Sequence, residues 1–122
     1  MRDVLLVEDN ELNRDMLSRR LERKGFSVRY AGDGAEAIEQ VRDSFPAVIL
    51  LDMNLPVMNG WETCEALRKE YPDQKLPIIA LTAHAMSGDR EKAIEAGCDD
   101  YATKPVDFKT LLEKINILIE TD

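Results

Sequence analysis

Five polar side chains stand at the ends of apolar segments, where they could take part in chemistry together. They are Glu8, Asp9, Asp52, Thr82 and Lys104. Each of them alone could be an ordinary solvated loop residue. If the apolar segments are parallel strands, however, their carboxyl ends meet at one edge of the sheet, where ligands of such sheets bind. The pattern therefore predicts one site that contains three carboxylates, a hydroxyl and an amine.

Three converging carboxylates require compensating positive charge. Two unit charges about 4 Å apart repel by about 4 kcal/mol at an effective dielectric constant near 20. Lys104 supplies one positive charge, so a proton or a cation must supply more. Because the ligands are oxygens, we expect Mg²⁺, bound directly by Asp9 and Asp52 and through water by Glu8. The backbone carbonyl of Asn54 is expected to complete the protein ligands.

Asp52 is the expected nucleophile of this site. It lies between a buried apolar run and a turn that contains Pro56, so its backbone should be rigidly held. Carboxylates act as phosphoryl acceptors, and an ionised aspartate needs no base to remove a proton. The Thr82 hydroxyl and the Lys104 ammonium are expected to bind the remaining phosphoryl oxygens.

The apolar segments that must position this site indicate an alternating α/β fold. The runs 4–7, 47–51 and 78–81 lack polar alternation, which is typical of inner parallel strands covered on both faces. The weaker segments 27–30 and 100–103 are expected at the sheet edges. Helical segments separate the strands, so we predict a (βα)5 doubly wound parallel sheet that forms one domain over residues 1–122.

The sequence also predicts where several helices begin and end. Asp33 and Asn59, each with Glu three residues later, predict the N-caps of the second and third helices. Gly25 and Gly97 are expected to end the first and fourth helices. Helical apolar spacing in the first helix involves Leu12, Met16, Leu17 and Leu21.

Composition excludes several classes of function. The net charge of −8 disfavours binding to nucleic acid or anionic membranes. There is no apolar run of transmembrane length and no signal-peptide pattern, so we expect a cytoplasmic protein. Cys64 and Cys98 match no disulfide framework or CxxC motif, which favours reduced packing thiols. With His84 as the single histidine, a zinc site is not expected.

The motifs and their spacing resemble the receiver domains of two-component response regulators, which are CheY-like domains, over essentially the whole chain. The resemblance rests on Val7-Glu8-Asp9-Asn10, Asp52-Met53-Asn54-Leu55-Pro56 with Gly60, Leu81-Thr82-Ala83 and Lys104-Pro105. The sequence from Glu8 to Arg14 resembles that of receivers in hybrid kinases and phosphorelays, and of stand-alone receivers related to them. The resemblance implies a flavodoxin-like sheet with strand order 2-1-3-4-5.

The same resemblance implies a signalling role. A phosphohistidine on a sensor histidine kinase or a histidine phosphotransfer protein would donate its phosphoryl group to Asp52. Thr82 and Tyr101 would then change position, and a downstream protein partner would recognise the changed conformation of the domain. The receiver would be a monomer or a phosphorylation-dependent dimer. It would not be an enzyme, beyond catalysing its own phosphoryl acceptance and slow autodephosphorylation.

Further details follow from the resemblance. The Lys104-Pro105 bond would be cis. Asn54, Ala83 and His84 would tune the rate at which the phosphoaspartate is hydrolysed. The surface near Leu12, Asn13 and Met16 would receive a donor helix, with core packing of Met16 as the competing interpretation.

Three other functions compete with this hypothesis. A flavodoxin-like cofactor carrier would need a Gly/Ser/Thr-rich phosphate loop, where this chain has Glu8 and Asp9. An aspartyl phosphatase of the haloacid dehalogenase type would have a second acid two residues after its nucleophile, where this chain has Asn54. A phosphorylation-independent binding module would not need the complete acidic site.

Overall fold

The computed structural model describes residues 3–53, 55, 58–82 and 89–120, in which five strands alternate with five helices. In chain order they are β1 (Asp3–Val7), α1 (Glu11–Arg23), β2 (Ser27–Ala31), α2 (Gly34–Asp43), β3 (Val48–Asp52), α3 (Gly60–Glu70), β4 (Ile78–Thr82), α4 (Asp89–Glu95), β5 (Asp100–Thr103) and α5 (Phe108–Glu120). None of these helices has the length and hydrophobicity needed to cross a membrane.

All five strands are parallel and lie in the order β2-β1-β3-β4-β5. This confirms the predicted fold and strand order, with the two less apolar segments at the edges. Every residue of β3 and β4 is buried, as expected for strands covered on both faces. Since the strands are parallel, their carboxyl ends form one edge.

Two strands extend one residue further than their apolar runs predicted, and they end at Asp52 and Thr82. The backbone ladder continues past the apolar residues, because the N–H of Met53 donates to the carbonyl of Leu81 at 3.0 Å. The N–H of Lys104 likewise donates to the carbonyl of Thr82 at 2.7 Å. Hydrophobicity marks where a strand is buried, whereas hydrogen bonding decides where it ends. The two polar side chains are therefore held by the sheet itself.

The core has one layer on each face of the sheet. Alternate strand residues face opposite sides. On one side, Leu6 and Leu50 pack with Leu21 of α1 and with α5. On the other side, Leu5 and Leu51 pack with the buried faces of α2 and α3. The helices thus cover both faces and leave the carboxyl edge of the sheet for the site.

The predicted helix ends are confirmed. Asp33 accepts a hydrogen bond at 2.8 Å from the N–H three residues later, and Asn59 forms a reciprocal capping box with Glu62. Glycines with left-handed backbone follow the first and fourth helices, with φ of 91° at Gly25 and 108° at Gly97. These signals locate the helices that enclose the site loops.

The apolar face of α1 is only partly buried. Leu21 is fully buried and Leu17 half-buried, but Leu12 is 67% exposed and Met16 is 50% exposed. Core packing of Met16, the competing interpretation for that residue, is therefore wrong.

Gly60, the first residue of α3, packs tightly on the end of β3. Its N–H donates to the carbonyl of Met53 at 3.2 Å. A Cβ at this position would lie 2.5 Å from the Asp52 carbonyl oxygen and 2.6 Å from the Cα of Met53. The absence of a side chain lets α3 begin directly against the backbone of Asp52.

We predict that Gly60→Ala destabilises the protein by about 1–3 kcal/mol, because the added methyl forces backbone atoms apart. The free energy of unfolding, measured by urea denaturation, checks this. Gly32→Ala is the matched control, since its nearest neighbour would be at 3.7 Å, an ordinary contact distance. Equal stability of the two variants would contradict the tight packing.

Candidate functional site

Glu8 reaches the site from the loop between β1 and α1. Its N–H donates to the carbonyl of Ala31 at 3.0 Å, so the backbone still follows the β1–β2 ladder. Asn10 then caps α1 by accepting a hydrogen bond from the N–H of Asn13 at 2.9 Å, and its own N–H lies 3.5 Å from a Glu8 carboxylate oxygen. Arg14 donates to the Glu8 carbonyl at 3.3 Å. These contacts hold a carboxylate that is only 4% exposed.

Asp52 ends β3 and is 2% exposed. Its Oδ2 accepts a hydrogen bond from Lys104 Nζ at 2.9 Å, and the same Nζ lies 3.4 Å from Glu8 Oε1. Lys104 directly follows β5 and precedes a cis bond to Pro105, as predicted. One ammonium therefore bridges carboxylates that belong to the ends of β1 and β3.

Asp9 completes a cluster with these two acids. One carboxylate oxygen each from Glu8, Asp9 and Asp52 lies within 4.8 Å of the others. Asp9 is exposed whereas the other two are buried, so the cluster opens to solvent on the Asp9 side. Three carboxylates with oxygens this close match the all-oxygen ligand set that a hard divalent cation such as Mg²⁺ requires.

Neighbouring charged groups of the cluster shift the pKa values of Glu8 and Lys104. Burial raises the pKa of Glu8 to about 7, and the hydrogen bond with Asp52 and the charge of Asp52 act in the same direction. Burial by itself lowers the pKa of Lys104, but its hydrogen bond to Asp52 and the charges of Asp52 and Glu8 outweigh burial, so this pKa is raised. The cluster therefore favours additional positive charge, which either a proton or a metal ion can supply.

Thr82 and Tyr101 are the two residues of the predicted switch. Thr82 is buried at the end of β4, and the residue before it, Leu81, pairs with Asp52 in the sheet. Tyr101 is half-buried on the edge strand β5, and Lys114 Nζ lies 4.9 Å from the centre of its ring. The positions of both residues are thus established, while their movement stays a prediction.

The structure brings together four of the acidic and basic residues that the sequence placed at this edge, and it places Thr82 one strand from Asp52. Three further predicted positions, Asn54, Ala83 and His84, lie outside the described residues. The predicted carbonyl ligand and the rate-tuning positions stay predictions.

A cleft of about 550 Å³ lies beside the buried acids. Its lining comprises Leu6, Glu8, Asn13, Met16, Leu17, Arg20, Leu81, Lys104, Pro105 and Val106. Sequence reasoning identified Asn13 and Met16 as surface candidates but missed Arg20 and Val106. The missing signal is tertiary, because α1 and the segment before α5 meet only when both pack on the same face of the sheet.

Comparisons with known proteins agree with this geometry. The family model of the response regulator receiver domain matches residues 4–116. The hybrid signal transduction histidine kinase I of Dictyostelium discoideum is 40% identical over 123 residues, which cover 95% of this chain and 7% of that protein's length. The polar-differentiation response regulator DivK of Brucella ovis is 35% identical over 114 residues, which cover 93% of each chain.

A solved structure with high similarity contains a receiver domain bound to its partner. It is the co-crystal structure of the Saccharomyces cerevisiae histidine phosphotransfer signalling protein Ypd1 with the receiver domain of the response regulator Ssk1. The receiver is 33% identical, with a TM-score of 0.89, and the match covers 93% of this chain and 86% of that chain. The family match over residues 4–116, together with the acidic site at the expected sheet edge, shows that this chain belongs to the response regulator receiver domain family of two-component and phosphorelay signalling.

Proposed function

We propose that Asp52 accepts a phosphoryl group from a phosphohistidine donor in a magnesium-dependent reaction. The observation that carries this proposal is the position of Asp52 within the cluster. Its carboxylate is buried, is bonded to Lys104 at 2.9 Å, and has an oxygen within 4.8 Å of Glu8 and Asp9 oxygens. A nucleophile in this position has groups on either side that can stabilise a transferred phosphoryl group.

In the proposed reaction, a carboxylate oxygen of Asp52 attacks the phosphorus atom and the bond from phosphorus to the donor imidazole nitrogen breaks. The electron pair of that bond stays on the imidazole. Lys104 contacts a phosphoryl oxygen with the ammonium that it already directs at Asp52, and Thr82 offers its hydroxyl to another. Both groups are held by the backbone hydrogen bond between Lys104 and Thr82, so little rearrangement precedes reaction.

The acids of the cluster would hold Mg²⁺ in this proposal. Asp9 and Asp52 would be direct ligands, Glu8 would act through water, and the Asn54 carbonyl would contribute a further oxygen. When bound, the ion would neutralise charge on the phosphoryl oxygens. Glu8 and Asp52 are buried whereas Asp9 is exposed, so the ion would enter from the Asp9 side.

The phosphoryl group would signal by favouring one of two states. Contact with the phosphoryl group would draw Thr82 towards Asp52, and Tyr101 would turn inwards to occupy the released space. A downstream protein, or a second copy of the phosphorylated receiver, would recognise the altered surface. Hydrolysis of the phosphoaspartate would reverse the change at a rate that Asn54, Ala83 and His84 influence.

We further propose that the phosphohistidine donor docks on the first turns of α1. Leu12 and Met16 are exposed there, Met16 lines the cleft that also contains Lys104, and Leu12 lies one helical turn before Met16. Exposed apolar side chains beside a polar reaction site are suited to bind the apolar face of a partner helix. The similarity to the Ssk1 receiver bound to Ypd1 supports a histidine phosphotransfer protein or a sensor histidine kinase as this partner.

The alternative functions are less well supported. The loop after β1 presents Glu8 and Asp9, which would repel the phosphate of a flavin or nucleotide. The family match also favours a receiver over an aspartyl phosphatase. A phosphorylation-independent binding module would have no use for a buried, charge-imbalanced acidic cluster, which is costly to maintain.

We predict that acetyl phosphate with Mg²⁺ adds one phosphoryl group to the protein and that Asp52→Asn abolishes this addition. The amide keeps the shape of the side chain but is not a nucleophilic carboxylate. Intact-protein mass spectrometry measures the product, and circular dichroism confirms the fold. Asp43→Asn, which removes an exposed acid at the end of α2, is the control and should be phosphorylated normally. Persistent labelling of the Asp52 variant would exclude Asp52 as the acceptor.

Magnesium is predicted to stabilise the folded protein, because a ligand that binds only the folded state shifts the unfolding equilibrium. At a magnesium concentration about 100-fold above Kd, this stabilisation is about 2.7 kcal/mol. Asp9→Asn should remove most of it, whereas Asp43→Asn should retain it. Thermal unfolding with and without magnesium measures the difference. A full magnesium effect in the Asp9 variant would rule out Asp9 as a ligand.

Leu12→Glu is predicted to slow phosphoryl transfer from a phosphohistidine protein about tenfold, equivalent to about 1.4 kcal/mol, while uptake from acetyl phosphate stays unchanged. Ile117→Glu is the matched control, since Ile117 on α5 is 64% exposed and Leu12 is 67% exposed. Transfer rates from a panel of phosphorylated histidine phosphotransfer proteins measure the effect. Equal slowing by both variants would contradict docking on α1.

A further inference from the structure

Two buried cysteines meet on the side of α3 that faces the segment between α4 and β5. Cys64 lies in α3 and is fully buried, and Cys98 lies just before β5 and is 4% exposed. Their sulfur atoms are 3.4 Å apart, with the Cys98 thiol donating to the Cys64 sulfur, and neither is in a disulfide. The proposed phosphorylation reaction makes no use of this pair, which lies near the amino end of β5 rather than at the carboxyl edge.

A network centred on Arg68 holds the two cysteines against each other. The guanidinium of Arg68 donates to the carbonyls of Gly97 and Leu76, each at 2.7 Å, and to the Asp99 carboxylate at 2.8 Å. Asp99 also accepts a hydrogen bond from the N–H of Ile78 at 2.8 Å. The residues on both sides of Cys98 are thus hydrogen-bonded to Arg68. Arg68 lies one turn after Cys64 on the same helix.

Gly97 allows this close approach. Its φ of 108° lies in the left-handed region, and a Cβ there would come within 2.6 Å of Arg68 Cγ. The chain therefore turns at Gly97 directly against the Arg68 side chain and delivers Cys98 to Cys64. The hydrogen bonds of Arg68 and the turn at Gly97 therefore both bring the two sulfurs together.

We propose that Cys64 and Cys98 form a modification site, a dithiol that a small peroxide converts into an intramolecular disulfide joining α3 to the segment before β5. This proposal does not depend on phosphorylation of Asp52, and it can be tested on the unphosphorylated, magnesium-free protein.

The reaction balances with hydrogen peroxide as the two-electron oxidant. The thiolate of Cys64 attacks one peroxide oxygen, the O–O bond breaks, and the departing hydroxide takes a proton to become water, which leaves a sulfenic acid. The Cys98 sulfur then attacks the Cys64 sulfur, the S–O bond breaks, and a second water leaves. Two thiols and one peroxide thus yield one disulfide and two water molecules.

The local environment favours this order of events. The hydrogen bond from Cys98 and the positive charge of Arg68 lower the pKa of Cys64 although burial acts in the opposite direction. The same pairing and burial raise the pKa of Cys98. Burial also excludes large thiols, so a sulfenic acid formed on Cys64 meets Cys98 before any external thiol. A peroxide molecule is small enough to enter during brief local opening.

The test treats the native, unphosphorylated chain with hydrogen peroxide, unfolds it, alkylates the remaining thiols and weighs the product. The proposal expects loss of both alkylatable thiols together, a mass lower by two hydrogen atoms, a monomer on a non-reducing gel, and full reversal by dithiothreitol. The melting temperature of the oxidised form should rise, since the disulfide closes a loop that contains β4 and α4 and so restricts the unfolded chain.

Several results would overturn the proposal. They are two thiols that remain alkylatable after treatment, disulfide-linked dimers as the main product, or a sulfinic acid on either cysteine with the other thiol intact. Cys98→Ser separates the steps, because peroxide should then leave a sulfenic acid on Cys64 that dimedone traps. Weaker trapping there than at Cys98 in Cys64→Ser would contradict the assigned order. The main readout uses the unaltered chain and is independent of how well either variant folds.

Discussion

Two buried carboxylates that share the ammonium of Lys104 are the interaction on which the rest of the site depends. Lys104 follows β5, yet it contacts Asp52 at the end of β3 and Glu8 beyond β1. Lys104 can contact both acids because the strands lie in the order β1-β3-β4-β5 and their carboxyl ends form one edge of the sheet. The hydrogen bond from the N–H of Lys104 to the carbonyl of Thr82 holds Lys104 at this edge, so the position of the charge cluster depends on the sheet.

The cluster is an unfavourable feature that the rest of the fold supports. Lys104 is one cation beside three acids, and the raised pKa of Glu8 reflects first its burial and then its hydrogen bond and repulsion with Asp52. Large buried runs in β3 and β4 supply the stability that offsets this cost. A site with excess negative charge in a rigid frame would gain more from a bound cation than a balanced site would.

Much of the fold and of the candidate site was predictable because both follow from local signals. Apolar runs and polar residues at their ends predicted the strands and the acids, and the caps at Asp33 and Asn59 predicted the helices. The cysteine pair was not predictable, since it depends on how α3 docks against a distant segment through Arg68. The degree of burial of Leu12 could not be decided from spacing alone, because spacing identifies an apolar face but not which of its residues contact the core, and Leu12 is 67% exposed.

The edges of the sheet determine which surfaces remain for partners. At the β2 edge, Gln40 donates to the carbonyl of Tyr30 at 2.7 Å, and at the β5 edge, Lys114 donates to the carbonyl of Tyr101. Backbone groups that bond to side chains are poor templates for an added strand. We therefore expect recognition by this receiver to use helix surfaces, such as the first turns of α1, where Leu12 and Met16 are exposed and Met16 lines the cleft that contains Lys104.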